Sequence, residues 1–163
     1  MNRRFLIGLT IVAGAFGLAS PAGAQPGGAV CSFNFDNGTI DPGMPASSKV
    51  SARWQAGPAP IVCVGTVDGR RITGPGVIFE YGTLDGSCSE GNGMGTQIAT
   101  LPTSAGPVRV VNEAPFWWKG PAGMLEGPRM RGTFQLWPLE GDCFNAPVTR
   151  YGQGTQTILT DKR

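Results

Sequence analysis

The clearest strand pattern in the chain lies in residues 131–160, which read RGTFQLWPLEGDCFNAPVTRYGQGTQTILT. Polar and apolar residues alternate through residues 133–137, as they do in a strand with one buried face. Pro138 is expected to end that strand, and residues 148–151 are expected to return antiparallel to it after a turn. The stretch therefore predicts a hairpin whose connection contains Cys143, and this cysteine can tie the hairpin to a distant part of the chain.

Similar alternation recurs along the chain between breaks supplied by 26 glycines and 14 prolines. No window has both the length and the period of about 3.6 residues that a helix requires. Two Asp-Gly pairs, Asp68-Gly69 and Asp85-Gly86, separate alternating runs and are typical of two-residue hairpin turns. We expect strands at residues 30–35, 49–55, 61–67, 70–73, 77–84, 87–90, 96–101, 108–113, 133–137, 148–151 and 155–159.

Short strands at a spacing of roughly 8–12 residues predict an all-β fold. We expect a single β-sandwich or small barrel of short antiparallel strands, stapled by disulfides. Two stretches rich in glycine or proline interrupt the pattern. Residues 91–95 are expected to form a flexible connection and residues 114–127 an irregular loop, because breakers are frequent in both.

Residues 1–24 have the three parts of a secretory signal peptide. Two arginines precede an apolar run at residues 5–19, and residues 22–24 supply the small side chains of a cleavage site. A membrane anchor is the alternative interpretation, but the run contains small residues and is short for a bilayer span of roughly 20 apolar residues. We therefore expect a signal peptide at residues 1–24 and one all-β domain at residues 25–163, secreted or held at the cell surface.

Without the signal peptide the chain has no net charge. The 13 basic residues of the whole chain include Arg3 and Arg4, so 11 remain beside 11 acidic residues. The longest basic run among them is Arg70-Arg71. Nucleic acid is therefore not expected as a partner, and neither is an anionic membrane surface or stable insertion into a membrane.

The four cysteines are Cys31, Cys63, Cys88 and Cys143, and an even number in an exported chain predicts disulfides. Four cysteines allow three connectivities. We favour Cys31 with Cys63 and Cys88 with Cys143, because ties between sequential strands are the simplest arrangement in a meandering sheet. The other two connectivities remain open. A metal site is not expected, because the cysteines lack the close pairing of structural zinc sites.

The chain contains no histidine. Ser-His-Asp and Cys-His nucleophile systems and the common zinc and iron sites are therefore excluded, and no cofactor is expected. Carboxylate chemistry remains, chiefly glycoside hydrolysis by two acidic residues on either side of a sugar bond. Glu80 and Glu113 are the best-placed candidates, although Glu80 is expected on the solvent side of its strand. Catalysis is thus an alternative, and no residue is assigned as catalytic.

Four consecutive residues, Phe116, Trp117, Trp118 and Lys119, form the candidate binding site. Consecutive tryptophans in a loop bounded by proline and glycine can offer a flat apolar platform for stacking on sugar rings or for burial against a partner protein. The alternative is that one tryptophan plugs an end of the fold while the other lies on its rim.

Two segments in the second half of the chain carry a resemblance. Residues 81–88 read YGTLDGSC, and Gly141-Asp142-Cys143 is followed by Pro147-Val148-Thr149-Arg150. In these segments the chain resembles uncharacterised small, glycine-rich secreted β proteins of high-GC Gram-positive bacteria. The resemblance implies an exported β domain and a disulfide between Cys88 and Cys143. It implies no activity and assigns no functional residue.

The sequence as a whole predicts a secreted, non-catalytic binding protein or cell-envelope-associated protein that recognises an extracellular glycan or protein through residues 116–119. One alternative is a carboxylate-based glycoside hydrolase, which requires two facing carboxylates about 5–10 Å apart. The other is a purely structural secreted protein, in which neither the aromatic residues nor the carboxylates form an exposed site.

Overall fold

The computed structural model describes residues 27–161, and this part of the chain forms nine β-strands and no helix. The strands are β1 (Gly28–Met44), β2 (Val50–Val67), β3 (Arg70–Arg71), β4 (Gly76–Gly86), β5 (Glu90–Leu101), β6 (Val108–Lys119), β7 (Ala122–Glu126), β8 (Met130–Glu140) and β9 (Val148–Thr160). The all-β fold class is therefore confirmed for the described residues. The expected signal peptide at residues 1–24 lies outside them.

Eight of the nine described strands form a closed up-and-down barrel. Each of the eight pairs antiparallel with the next one along the chain, and the two-residue β3 is a side branch of β2. The circle closes because β1 also pairs with β9, from Gly28 opposite Thr160 to Met44 opposite Val148. Closure gives each of these strands a paired neighbour on both sides. Of the two architectures expected, the chain adopts the barrel.

The strands are longer than the sequence pattern indicates. β2 has 18 residues and joins two expected strands across Gly57 and Pro58. Its pairing with β4 shifts register between Ala56 and Ala59, so a bulge absorbs the proline without ending the strand. Pro138 likewise lies inside β8, beside a register shift in the pairing with β9, and the expectation that it ends the strand is wrong. Bulges let the barrel retain residues that normally break a strand.

Two stretches expected to be irregular are strands instead. Residues 91–95 lie within β5, and residues 114–127 include the second half of β6 and all of β7. The physical reason is close packing of glycine against aromatic rings. A Cβ atom on Gly93 would lie 2.5 Å from the ring of Phe116, its register partner on β6. Glycine therefore provides space for a ring at this position and does not form a turn.

One of the two predicted Asp-Gly turns is confirmed. Asp68 and Gly69 connect β2 to β3, and both have positive φ, at 50° and 73°. This is the backbone conformation for which the pair is favoured in two-residue turns. Asp85 and Gly86, by contrast, end β4 as strand residues. The connection to β5 is residues 87–89, where we expect a short strand from the sequence, so that expectation is wrong.

Both favoured disulfides are present. Cys31 is bonded to Cys63, its register partner on the neighbouring strand, and Cys88 is bonded to Cys143. Cys143 lies in the connection between β8 and β9, as predicted, and Cys88 lies in the connection between β4 and β5. The second disulfide therefore joins two connections at the same end of the barrel. We call this end the mouth, and it consists of residues 45–49, 87–89, 120–121 and 141–147.

The opposite end of the barrel is filled with side chains. Arg129, which is 9% exposed, donates a hydrogen bond from its guanidinium to the Asp68 carboxylate at 2.8 Å and another to the carbonyl of Thr160 at 3.0 Å. Beneath it the interior is packed with large apolar residues that are almost completely buried, namely Ile61, Val67, Leu101, Val110, Met130 and Leu159. The barrel is therefore closed at this end.

The side chain of Asn112 joins three strands near the closed end. It is completely buried, and its Nδ2 donates to Gln97 Oε1 on β5 at 2.6 Å and to the carbonyl of Met130 on β8 at 3.1 Å. Its Oδ1 accepts the backbone N–H groups of Arg129 at 2.9 Å and of Met130 at 3.0 Å. β7 has five residues and pairs only with the end of β6 nearest the mouth, so it does not extend alongside Asn112. The Asn112 side chain therefore replaces backbone pairing between β6 and β8.

We expect Asn112→Ala to lower the free energy of unfolding by roughly 3 kcal/mol, because two backbone N–H groups and the Gln97 carbonyl would be left buried without partners. Urea denaturation measures this change. The matched control is Glu113→Ala, which removes the exposed neighbour on the same strand and should change the free energy by no more than about 0.5 kcal/mol. Equal effects of the two substitutions would show that Asn112 does not join the strands.

Candidate functional site

The barrel contains a cavity of about 240 Å³ in the half nearest the mouth. Gly120, Pro121 and the Cys88–Cys143 disulfide line its outer part, and the exposure of Pro121 shows that the cavity reaches the surface. Its inner part ends at the polar side chains of Glu80, Gln97 and Gln153. The cavity therefore runs from the mouth to the middle of the barrel, above the packed closed end.

Aromatic rings form much of the wall. Phe116 on β6 lies at the centre of the group, with ring centroids 5.4 Å from Trp54 on β2, 6.0 Å from Trp118 and 6.3 Å from Phe134 on β8. The rest of the wall is mainly aliphatic and includes Ile40, Met44, Leu125, Leu136 and Val148. A wall of this kind favours an apolar, ring-containing ligand.

Glycines on the inward face of neighbouring strands make room for these rings. Cβ atoms on Gly86 and Gly93 would lie 2.5 Å from the rings of Trp118 and Phe116, and one on Gly95 would lie 2.8 Å from Trp54. The rings can therefore lie against the wall, which leaves the centre of the barrel open. A larger side chain at any of these glycines would displace a ring into the cavity.

Glu80 lies at the inner end of the cavity and is 1% exposed. The expectation that it faces solvent is wrong. Alternation along β4 correctly pairs Glu80 with Ile78 on one face, but this face is the inward one, since Ile78 is completely buried while Val77 and Tyr81 are 53% and 43% exposed. The outward face of β4 is the more apolar of the two, and this misleads an interpretation based on hydrophobicity.

Burial raises the pKa of Glu80 to about 8, against the opposing effect of a hydrogen bond from Gln153. Tyr151, which also lines the cavity, has a pKa raised well above its usual value of 10.0 by burial and then by the charge of Glu80. Among the described residues that line the cavity, none is cationic. Glu80 is therefore a neutral carboxylic acid at pH 7.

Among the residues that line the cavity, two fully buried polar atoms have no hydrogen-bond partner within residues 27–161. They are Oε1 of Glu80 and Nε1 of Trp54, and we call them the open polar pair. A Cβ atom on Gly82 would lie 2.9 Å from Trp54 Nε1, and Gly82 is the next inward position after Glu80 on β4. The pair therefore lies on one wall, where the aromatic part of the cavity meets its polar end. Trp118 differs, since its Nε1 donates to the carbonyl of Ser87 at 3.0 Å.

The four residues expected to form one binding platform lie on two faces of β6. Phe116 and Trp118 point inward and line the cavity, whereas Trp117 is 40% exposed and Lys119 is exposed on the outside. The interpretation as an irregular loop is wrong, because these residues belong to a strand, where successive side chains alternate. The structure thus brings two of the four residues into one site.

The two candidate catalytic carboxylates do not face each other. Glu80 points into the barrel, whereas Glu113 is exposed on the outer surface of β6. A glycosidase pair has to lie on either side of the same bond, and the barrel wall separates these two. Glu80 is the one carboxylate among the described residues that line the cavity.

The connection that carries Cys143 is held in shape by Asp142. Its carboxylate accepts the backbone N–H groups of Phe144, Asn145 and Ala146 at 2.8, 2.7 and 3.1 Å. These hydrogen bonds, together with one from the Asn145 side chain, lower the pKa of Asp142 well below its usual range. One side of the mouth is therefore an ordered loop that is also anchored by the disulfide.

Sequence reasoning missed most of the cavity, including Trp54, Gln97, Tyr151 and Gln153 as site residues. One pattern in the sequence could have indicated the aromatic wall of the cavity. Glycines at every second position in residues 91–95 face Phe116 and Trp118, which also alternate along β6. A row of glycines beside a row of aromatic residues indicates rings that lie flat against a sheet.

Within residues 27–161 no group of histidine, cysteine or acidic side chains is arranged to hold a metal ion. The same residues contain no helix long and apolar enough to cross a membrane. No known protein family, curated protein or solved structure matches the chain. The fold and the site therefore define its class, which is a closed eight-stranded barrel with an aromatic-lined internal cavity.

Proposed function

We propose that this protein binds a small, largely apolar molecule inside its barrel and does so without catalysis. The observation that carries the proposal is the cavity of about 240 Å³, which has aromatic walls and the open polar pair at its inner end. The interior of an eight-stranded barrel either is filled by side chains or holds one small ligand. Here the closed end is filled and the half nearest the mouth is open.

The size and polarity of the cavity support this function. An apolar cavity of about 150 Å³ is sufficient to bind benzene, so this cavity has room for a compound with two fused rings. Buried polar groups without partners destabilise a protein unless something satisfies them. A ligand that supplies hydrogen bonds to the open polar pair would remove that cost when it binds.

The proposal keeps non-catalytic binding, as expected from the sequence, and changes the ligand from a glycan or protein to a small molecule. A glycan platform needs coplanar exposed aromatic rings, and among Phe116, Trp117 and Trp118 it is Trp117 that lies on the outer surface. The two disulfides favour an oxidising compartment, and we infer that the protein acts outside the cytoplasm after secretion.

The test is saturable binding of 2-ethylnaphthalene, measured by equilibrium dialysis. Leu136→Trp places a large ring in the cavity wall and should weaken binding by at least about tenfold, since the ring occupies the ligand's space. Gln135→Trp is the matched control, because Gln135 is the exposed neighbour on β8, and it should leave the affinity within about twofold. Circular dichroism checks that both variants fold.

Absence of saturable binding by the parent protein would overturn the proposal in favour of a purely structural role. Equal binding by the Leu136→Trp and Gln135→Trp variants would also overturn it, because the probe would then bind somewhere other than the cavity.

A further inference from the structure

The hydrogen bonds around Glu80 show which of its oxygen atoms lacks a partner. Gln153 donates from Nε2 to Oε2 of Glu80 at 3.1 Å, and the same nitrogen donates to Thr155 Oγ1 at 2.9 Å. An amide N–H donates to the carbonyl oxygen of a carboxylic acid, so the proton of neutral Glu80 lies on the other oxygen, Oε1. This oxygen belongs to the open polar pair.

The groups around Glu80 leave it in the neutral form. Its register partners are Ala56 on β2 and Gln97 on β5, and Gln153 and Tyr151 approach it from β9. Tyr151 is the one further titratable side chain among the described residues that line the cavity. The ion pairs of the described chain, Lys49 with Glu90 and Arg129 with Asp68, do not include Glu80. A buried carboxyl group without a cation nearby retains its proton.

Both members of the open polar pair are consequently hydrogen-bond donors. The indole N–H of Trp54 can only donate, and the Glu80 proton donates from Oε1. A cationic amine fits such a site badly, since it would face two donors and would require Glu80 to ionise. A hydrocarbon would leave both donors without partners. An acceptor oxygen satisfies them.

Building on the proposed function, we infer that the ligand is a neutral ring compound with a carbonyl group, whose oxygen accepts hydrogen bonds from Glu80 and Trp54. The ring system then lies among Trp54, Phe116 and Trp118, on the mouth side of the carbonyl. Apolar contacts with the wall hold the body of the ligand, and the open polar pair selects its functional group.

Three probes with the same skeleton test this inference at pH 7 by equilibrium dialysis. They are 2-acetylnaphthalene, 2-ethylnaphthalene and 1-(2-naphthyl)ethylamine, which differ in carrying a carbonyl, a methylene or an amine. Two additional hydrogen bonds should make the ketone bind roughly tenfold more tightly than the hydrocarbon. The amine should bind more weakly than the ketone.

The outcomes separate the two proposals. Binding of none of the probes would overturn the proposed function itself. Binding of the hydrocarbon as tightly as the ketone, or of the amine most tightly, would overturn the carbonyl inference while the cavity remained a binding site. This comparison uses the parent protein, so it does not depend on the folding of any variant.

Two variants then assign the hydrogen bonds. Trp54→Phe removes the N–H together with part of the ring surface, and should weaken ketone binding roughly three- to tenfold more than it weakens hydrocarbon binding. Glu80→Gln keeps a donor in place of the Oε1 proton and should retain ketone binding within about threefold. Loss of ketone binding in a folded Glu80→Gln variant would show that a carboxylate is required and would overturn the inference.

The pH dependence of ketone binding follows from the protonation of Glu80. Ketone affinity of the parent should be constant from pH 6 to 7 and fall as pH rises past about 8, where Glu80 loses its proton. Tyr151 remains neutral over this range, because its pKa is raised well above 10.0. The Glu80→Gln variant should show no such fall. A ketone affinity that increases with pH would contradict donation from Glu80.

Discussion

The Glu80→Gln variant is expected to exceed the parent in free energy of unfolding by roughly 5 kcal/mol at pH 9, and to differ little from it at pH 4. The cause is the burial that raises the pKa of Glu80 from 4.5 to about 8. Glutamine has the same shape and can accept the hydrogen bond from Gln153, but it has no proton to lose.

The sign follows from the proton balance. Below pH 4.5 Glu80 is protonated in the folded and unfolded chains, so its ionisation does not affect stability. Between pH 4.5 and about 8 the unfolded chain loses this proton while the folded protein retains it, so unfolding becomes more favourable by about 1.4 kcal/mol for each pH unit. Above pH 8 both states are ionised and the cost stays constant.

Urea denaturation of ligand-free protein at pH 4 and pH 9 measures the difference. Glu113→Gln is the matched control, because it makes the same chemical change at an exposed position and should alter the free energy by at most about 0.5 kcal/mol at either pH. A Glu80→Gln effect of the same size at both pH values would mean that the folded protein does not hold Glu80 in its neutral form.

Removal of the Cys88–Cys143 disulfide by a double substitution to alanine is expected to lower the free energy of unfolding by roughly 4 kcal/mol and also to weaken ligand binding. The two cysteines are 55 residues apart in sequence, so the bond restricts a long segment of the unfolded chain. The net stability of a domain is typically about 5–15 kcal/mol, which makes this a large share of the total.

The Cys31–Cys63 disulfide supplies the matched control for the effect on binding. Its cysteines are 32 residues apart, so the chain-entropy estimate for its removal is similar, at roughly 4 kcal/mol. It lies between neighbouring strands and does not line the cavity, whereas Cys88 and Cys143 both do. Denaturation in the absence of reducing agent should therefore show equal losses of stability for the two variants. Equilibrium dialysis of 2-ethylnaphthalene should show a loss of affinity only for the Cys88/Cys143 variant.

Two results would contradict this expectation. One is unchanged affinity of the Cys88/Cys143 variant under conditions where it is folded, which would show that the disulfide does not shape the mouth. The other is a stability cost below about 1 kcal/mol, which would mean that strand pairing alone restricts the chain as strongly as the bond does.

Local features of the fold were predictable from the sequence. The hairpin that contains Cys143 follows from alternation in β8, and the turn at Asp68-Gly69 follows from the preference of that pair for positive φ. The partnership of Cys31 with Cys63 also follows, because β1 and β2 are sequential strands and are therefore neighbours in an up-and-down arrangement. Each of these features depends on residues that are close in sequence or on adjacent elements.

Strand length and the state of the glycine-rich segments were not predictable in this way. Whether Pro58 or Pro138 ends a strand depends on whether the neighbouring strand allows a bulge. Whether Gly93 belongs to a turn or a strand depends on the ring of Phe116, which comes from another strand. In both cases a contact across the sheet overrides the local preference of the residue.

The sequence by itself determined that the described chain is an all-β fold with two disulfides, that histidine chemistry is absent, and that one face of β4 carries Glu80 with Ile78. Only the tertiary structure decided which face is inside. Closure of β1 on β9 gives every strand an interior side, and it places Glu80, Trp54 and Phe116 around one space although they are far apart in sequence. The cavity exists because the inward side chains of eight described strands fill one end of the barrel and not the other, and no single strand carries that information.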